Sequence, residues 1–443
     1  MPKRSIAIVG SGVSGLSAAW FLNKQFKVFL IEKEPRLGGH THTHDISENN
    51  NKIFVDSGFI VFNDINYPNF TKWLEELDVN RSKAEMSFSV SKNSGSFEWG
   101  GKNFSAIFGQ KKNLFSAKFL TMLFEINRFN SISLNALKHL NLIKDISLKT
   151  FLSENAFSTF FSENYIIPMA GSIWSTPSNK ITDYPAASLI QFLSNHGLLS
   201  AQNHHQWYSI LDGSKTYIDK FEQSNIYKSK CITQLLEHKV DRVELNGEGP
   251  SAGKINITGK NLKKKEGFSL KVDEIVFACH SDQTSRIIKT RTEESEILSD
   301  ITYQRNKGYL HEDISLMPKR KRVWSAWNYL SSQQQGQADQ ISITYWMNKL
   351  QKLRTNRNVF VSLNPPREPK ESQITKELVY EHPVFDLKMI KAREKVNNFQ
   401  GNKGFWYCGA WTGHGFHEDG FVSGKKIATE INKRYKKNRY VNQ

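Results

Sequence analysis

A chain of 443 residues with 38 % hydrophobic and 23 % charged residues has length for two to three domains and the balance of a folded protein, which excludes a mini-protein and wholesale disorder. Lys and Arg total 60 against 43 Asp and Glu; the formal charge of +17 favours an anionic partner, be it nucleic acid, a phospholipid surface or a charged small molecule. Three scattered cysteines, Cys231, Cys279 and Cys408, form no C-x-x-C pair, so neither a disulfide framework nor a cysteine zinc site is expected, and a reducing, cytoplasmic setting is.

No run reaches the roughly 18 apolar residues of a spanning helix. Residues 1–22 imitate a secretory signal peptide, with Lys3 and Arg4 ahead of an apolar stretch, but their glycine spacing argues for something else. Residues 5–9 form a short β-branched run and 28–31 a second. Between them Leu16, Ala19, Trp20 and Asn23 stand at helical spacing, so the chain opens as strand, helix, strand. At the first turn stands Gly10-Ser11-Gly12-Val13-Ser14-Gly15, and the second run ends at Glu32-Lys33. In such a turn the first glycine bends the chain, the second admits a pyrophosphate and the third brings helix and strand together. The helix N-terminus then meets phosphates with free N–H groups, while Glu32 accepts hydrogen bonds from a ribose.

Residues 104–152, rich in Phe, Leu, Ile, Lys and Asn, read as several helices. Residues 308–314, 322–329, 340–347 and 359–363 read as four alternating strands of an antiparallel sheet. The charge runs at 263–265 and 319–322 read as solvated turns. Residues 273–278 form an apolar strand suited to return to the first sheet, Phe405-Trp406-Tyr407 another, and Phe421, Gly424, Ile427, Ala428 and Ile431 stripe a final helix.

A second glycine cluster, Pro35-Arg36-Leu37-Gly38-Gly39-His40, puts a glycine pair and an Arg where they would meet a pyrophosphate or flavin edge from the opposite side, an element nicotinamide dehydrogenases do not need. With Val55-Asp56-Ser57-Gly58 it resembles the FAD-binding signature of the flavin-containing amine oxidase and phytoene desaturase superfamily. The resemblance implies bound FAD and a closing element of strand, glycine and helix, matched by Gly409, Asp419-Gly420, Phe421 and Ser423-Gly424. Ala410 stands where the family carries an acid, and His40 where Arg is common. The resemblance also implies a glycine loop, here Asp212-Gly213-Ser214 with one glycine lost, and an adenine-contacting strand around Val240 in His238-Lys239-Val240-Asp241. The chain is most similar to a bacterial group of FAD-dependent oxidoreductases, some of which modify lipids. Ile173-Trp174-Ser175-Thr176-Pro177, Tyr345-Trp346-Met347-Asn348 and Gly415-Phe416-His417-Glu418-Asp419-Gly420 carry that similarity.

In such a protein a helix N-terminus near Gly420 would stabilise negative charge on the reduced flavin, and His417 and Glu418 are the nearest candidates for proton transfer or substrate orientation. Glu418 and Asp419 read equally well as caps of that helix. No metal is expected: His40-Thr41-His42-Thr43-His44 alternates as a strand does, but only Asp45 adds a ligand at suitable spacing. His204-His205 reads as surface, and no nucleophile elbow supports Ser-His-Asp chemistry. Nucleic acid is set aside for want of a recognised module. The basic residues of 425–443 point instead to an anionic membrane surface, as do Leu114, Phe115, Phe119, Leu120, Met122, Leu123 and Phe124, interleaved with Lys111, Lys112 and Lys118. A helical lid over a substrate pocket is the alternative for that Phe-rich stretch.

The expected fold class is α/β, a Rossmann-type FAD-binding domain with an inserted α+β substrate domain. Residues 1–65, 209–285 and 401–443 would form the first; 66–208 (helical) and 286–400 (antiparallel sheet) the second. The expected function is that of an FAD-dependent oxidoreductase, peripheral to the membrane, that desaturates a lipid acyl chain. Amine oxidation and flavin-dependent isomerisation are the alternatives, and the electron acceptor is left open.

Overall fold

The computed structural model describes residues 3–48, 51–174, 178–199, 205–225, 227, 231–245, 254–289, 293–331 and 341–441. The chain opens as β1 (Ser5–Val9), α1 (Val13–Leu22) and β2 (Lys27–Ile31), with the helix starting at the glycine turn itself. A first excursion carries α2 (Pro68–Glu76), the hairpin β3 (Phe88–Lys92) and β4 (Phe97–Gly100), then α3 (Phe104–Ile107), α4 (Ala117–Ala136), α5 (Ile167–Trp174) and α6 (Ala186–Asn195). The chain returns through α7 (Lys215–Gln223), β5 (Ile232–Leu235), β6 (His238–Leu245), β7 (Ile255–Asn261), β8 (Glu266–Val272) and β9 (Glu274–Phe277). A second excursion holds α8 (Ser281–Ile287), β10 (Tyr303–His311), β11 (Trp327–Ser331), β12 (Ser342–Trp346), β13 (Phe360–Leu363) and β14 (Ile374–Pro383). β15 (Phe405–Tyr407) and α9 (His417–Val441) close the chain.

Five strands form a parallel sheet in the order β15-β9-β1-β2-β5, so both chain ends and the middle meet in one layer. Ile6, Ala7 and Ile8 in β1 and Ile275, Val276 and Phe277 in β9 are wholly buried. Burial on both faces is why these strands read as unbroken apolar runs. α9 lies against α1 at backbone distance: a Cβ on Gly424 would stand 2.1 Å from Ser14 O. β6, β7 and β8 form a separate antiparallel sheet.

The large sheet has seven strands in the order β14-β10-β13-β12-β11-β3-β4. It is antiparallel except where β3 of the first excursion runs parallel to β11, pairing Phe88 with Trp327. The sheet therefore draws on both excursions, and the first is not purely helical. The strand expected over 322–329 begins only at Trp327, since residues 321–323 form a 3₁₀ turn. β14 was not expected, because it is a half-exposed edge strand whose Lys376, Glu377 and Glu381 suppress any apolar run. Among the described residues no helix is long and apolar enough to cross a membrane.

Candidate cofactor and substrate cavity

β1 runs into the glycine turn, where Gly10 adopts φ +103° and a side chain would stand 2.7 Å from Ala278 O at the end of β9. A Cβ on Gly15 would meet Gly10 O at 2.0 Å, so this glycine serves helix–strand contact and does not face the cavity. Gly12 is the opposite case. A Cβ there would meet no atom within 4 Å, because it would enter open space. The second glycine loop closes over the first, with Gly38 N donating to Ser11 O at 2.9 Å. α1 begins without a side-chain cap or a first-turn acid, an arrangement that leaves N–H groups for an anion beside Gly12.

Glu32 is buried at the end of β2. Its Oε2 accepts from Ser11 N (2.9 Å) and Ser11 Oγ (2.7 Å), and its Oε1 from Glu34 N (3.0 Å). Arg36 stands on the wall of the cavity. Its guanidinium donates to the carbonyls of Thr41 (2.8 Å), Gly39 (2.9 Å) and Leu37 (3.3 Å), and so shapes the glycine-pair loop.

These pieces wall one end of a single cavity of about 2050 Å³. Gly10, Ser11, Gly12, Val13, Ser14, Glu32, Lys33, Arg36, Gly38, Gly39 and His40 line it, with Val240 of β6 and Gly409-Ala410 after β15. The other end is lined by Leu123 and Ile126 of α4, Met169 and Ile173 of α5, Phe192 of α6, Trp207, and Trp327, Tyr345 and Leu363 of β11, β12 and β13. Ordinary ligand pockets run to about 300–1,000 Å³, so the volume has room for a dinucleotide and a second, elongated molecule.

His40, which the sequence reading singled out, is joined on the cavity wall by His280, Tyr303, Tyr380 and His382, which it did not. His280, just after β9, stacks on Tyr303 at 4.2 Å, while His40 lies 5.4 Å from Tyr380 and 5.7 Å from His382, both on β14. Burial, with the Arg36 charge second, lowers His40 to about 4; burial likewise lowers His280 and His382 to about 3, so these imidazoles are neutral near pH 7. His40 Nε2 and His280 Nδ1 are buried without a hydrogen-bond partner, the condition of groups that a bound molecule would satisfy. Only the strand-end position of His280 could have pointed to it; Tyr380 and His382 lie on the strand that the sequence pattern concealed.

The expected C-terminal residues divide. His417 lines the cavity, but its ring stacks on Phe59 at 3.7 Å and its Nε2 pairs with Tyr217 Oη at 3.0 Å; burial pushes it down to about 3. It is a neutral, engaged imidazole, not an acid poised at neutral pH. Glu418 lies outside the cavity and caps α2, accepting from Asn69 N (3.0 Å), Asn69 Nδ2 (2.8 Å) and Phe70 N (2.9 Å). Asp419 holds the preceding turn by accepting from His414 N (3.0 Å) and Phe416 N (2.9 Å). Gly420 packs toward Val13, and Phe421 is core. None of these last three lines the cavity.

Other motif pieces meet as structural ties. Asp56 accepts from Ser214 N (2.9 Å) and Ser214 Oγ (2.7 Å), joining two signature segments, and burial pushes it up to about 6. Gly409 N donates to Ser423 Oγ at 3.0 Å. His42 and His44 pack ring to ring at 4.2 Å, and His44 Nε2 pairs with Ser57 Oγ at 2.7 Å. His205 lines the cavity, whereas His204 and residues 175–177 lie outside the described residues.

Residues 8–77 match the NAD(P)-binding Rossmann-like domain family. Wild-type putrescine oxidase bound to putrescine superposes on 97 % of this chain and 99 % of that chain, with a TM-score of 0.67 at 13 % identity. The chain has the putrescine oxidase fold. The CLA-producing fatty acid isomerase from P. acnes is as similar to it, covering 96 % of this chain and 98 % of that one with a TM-score of 0.66 at 12 % identity. Cyclohexylamine oxidase from Brevibacterium oxydans IH-35A covers 98 % and 100 %, with a TM-score of 0.64 at 14 % identity. No curated protein sequence matches the chain. The expected fold class, α/β with a Rossmann-type parallel sheet and a separate antiparallel sheet, is thereby borne out.

Proposed function

We propose that the protein is an FAD-dependent oxidoreductase that dehydrogenates an acyl chain of a lipid. One observation carries the reading: the glycine cradle and an apolar chamber are two ends of the same cavity. The residues fit the cofactor. Gly12 opens onto space beside an uncapped helix N-terminus, the Gly38-Gly39 loop faces it, Glu32 stands at the ribose position, and Gly409-Ala410 add the third chain segment to the same wall. FAD bound there supplies a two-electron acceptor. The chain's own residues bind and orient. His40 offers at the wall a ring nitrogen without a hydrogen bond, His280 Nδ1 faces Glu381 Oε2 at 3.7 Å, and Leu123, Ile126, Met169, Ile173 and Phe192 hold an apolar chain away from water.

Glu85, held by Lys102 at 2.7 Å and Lys349 at 3.5 Å, and Glu381 of β14 are both carboxylates of the cavity wall, so charge alone does not set amines aside. The apolar run of Leu123, Ile126, Met169, Ile173 and Phe192 is what favours an acyl chain. Isomerisation stays as a second reading because the fatty acid isomerase fold matches as well as that of the oxidase.

The test is to incubate purified protein with membrane phospholipid and follow acyl mass and the flavin absorbance band under anaerobic conditions. Bleaching of the flavin, with chains lighter by two hydrogens, supports dehydrogenation. Chains of unchanged mass with a moved double bond support isomerisation. Rapid bleaching by simple amines, with lipids inert, overturns both.

A further inference from the structure

Two basic runs that lie some 200 residues apart in sequence meet on the surface. The loop after α3 and the turn before β11 enclose a cleft of about 410 Å³ lined by Gly109, Gln110, Lys111, Lys112, Arg320 and Arg322. One buried residue of β4 builds it. Glu98 N donates to Gln110 Oε1 (2.9 Å) and Glu98 O accepts from Asn113 Nδ2 (3.0 Å), which frames Lys111 and Lys112. The fully buried Glu98 carboxylate accepts from Lys319 N (2.6 Å), Arg320 N (3.2 Å) and Arg320 Nη1 (2.7 Å), which fixes the opposite rim. Arg320 is thus neutralised. Among the described residues Lys111, Lys112 and Arg322 have no ion pair, and no carboxylate lines the cleft, so it presents a converging positive charge that is not solvated on all sides.

The same segment also exposes aromatic side chains, of which Phe115 shares a 3₁₀ turn with Lys111 and Lys112. Phe115 is 89 % exposed, Phe104 73 % and Phe124 67 %, with Leu114 and Leu120 also exposed. The Phe-rich stretch is not uniform: Phe119 and Met122 are core, and Leu123, one residue before Phe124, and Ile126, two after it, line the main cavity. α4 therefore has one face in the chamber and the adjoining face in solvent.

We infer that this surface docks on a bilayer of anionic phospholipid, with the headgroup phosphate in the cleft, the exposed Phe and Leu side chains in the interface, and the acyl chains beside the α4 wall. Exposed aliphatic groups among lysines fit a lipid interface better than a nucleic acid, whose bases stack on rings and gain little from leucine. The C-terminal helix is the weaker candidate, because Lys425 is held by Asn69 Oδ1 (2.8 Å), Lys433 by Glu430 (2.9 Å) and Arg434 by Glu274 (3.5 Å).

The inference adds to the proposed function the place where substrate is met, but its test needs no turnover. Flavin-loaded protein is sedimented with phosphatidylglycerol or phosphatidylcholine vesicles at low and at high salt. Wild type should pellet with the anionic vesicles alone, at least tenfold more at low salt. Lys111→Glu with Lys112→Glu, and separately Phe115→Ser with Phe124→Ser, should each lower that binding at least fivefold while the flavin spectrum and melting temperature stay unchanged. Equal binding to both vesicle types, unchanged binding by both double variants, or displacement from the vesicles by a single-stranded oligonucleotide would overturn it. Failure here leaves the chemistry of the cavity standing, and inert lipids in the turnover assay leave the docking result standing.

Discussion

The two ends of the cavity are built by different means. At the cradle end the wall is largely backbone, as Gly10, Gly12, Gly38 and Gly39 bring main chain to the surface and α1 offers its N–H groups. At the far end the wall is side chain, contributed by α4, α5, α6 and the strands of the seven-stranded sheet. Backbone walls suit a cofactor of constant shape, whereas side-chain walls are free to differ in size for different substrates. The two halves should therefore break separately, and each substitution below tests that separation.

The largest effect is expected at Gly12. Because a side chain there meets no protein atom, Gly12→Val should fold with an unchanged melting temperature yet purify colourless, with no FAD released on denaturation. Gly15→Val puts atoms against Gly10 O and should lose the fold itself. Normal flavin in folded Gly12→Val would remove the cradle assignment. At the other end Met169→Trp and Ile173→Trp, one turn apart on α5, should keep full flavin and slow turnover of long acyl chains roughly tenfold to a hundredfold, shorter chains less. Loss of flavin in these variants would show that the halves are not separable.

What could be read in the sequence follows the same division. The turn at 10–15, the pair at 38–39 and the strand returning at 274–277 are local patterns of glycine spacing and apolar runs, and the structure puts them where those patterns point. The chamber leaves no such trace. Trp207, Phe192, Trp327 and Tyr345 come from four elements that only tertiary folding assembles, and each looks like an ordinary core aromatic. Glu418 shows a further limit: a first-turn acid reads as a cap of its own helix, and only the packing of α9 against α2 shows whose N-terminus it serves.

Stability should also divide. Glu98 ties β4 to two loops of the substrate half, so Glu98→Ala strands the N–H groups of Lys319 and Arg320 and should cost about 3 kcal/mol by denaturant titration, with flavin content of the surviving folded protein unchanged. Acid should act on the whole molecule. His40, His42, His44, His196, His280, His311, His382 and His417 are each lowered to about 3–4, chiefly by burial. Below pH 6.5 the unfolded chain then binds more protons than the native one, so stability falls as pH drops from about 6.5 toward 4. Asp56, raised to about 6, works the opposite way between about pH 4 and 6, and Glu222 and Asp419, also raised by burial, act in the same sense as Asp56, but the eight histidines outnumber them. The melting temperature should therefore fall from pH 7 to pH 5, and His417→Phe should lessen the slope. A melting temperature flat over that range would mean the histidines are not buried as neutral bases.

The smallest effect decides between two roles for one residue. Glu418 accepts three hydrogen bonds from the first turn of α2, and its charge sits at the positive end of that helix. Glu418→Gln keeps the size but gives up one acceptor oxygen and the charge, which should cost about 1 kcal/mol of stability. If the residue only caps α2, turnover should stay within about threefold of wild type and its pH profile should keep its shape. If it instead transfers a proton to or from the substrate, the amide should lower turnover by about 10²–10⁴-fold and delete a limb of the pH profile. Its place outside the cavity wall favours the first outcome, and measuring kcat against pH for this single variant separates the two.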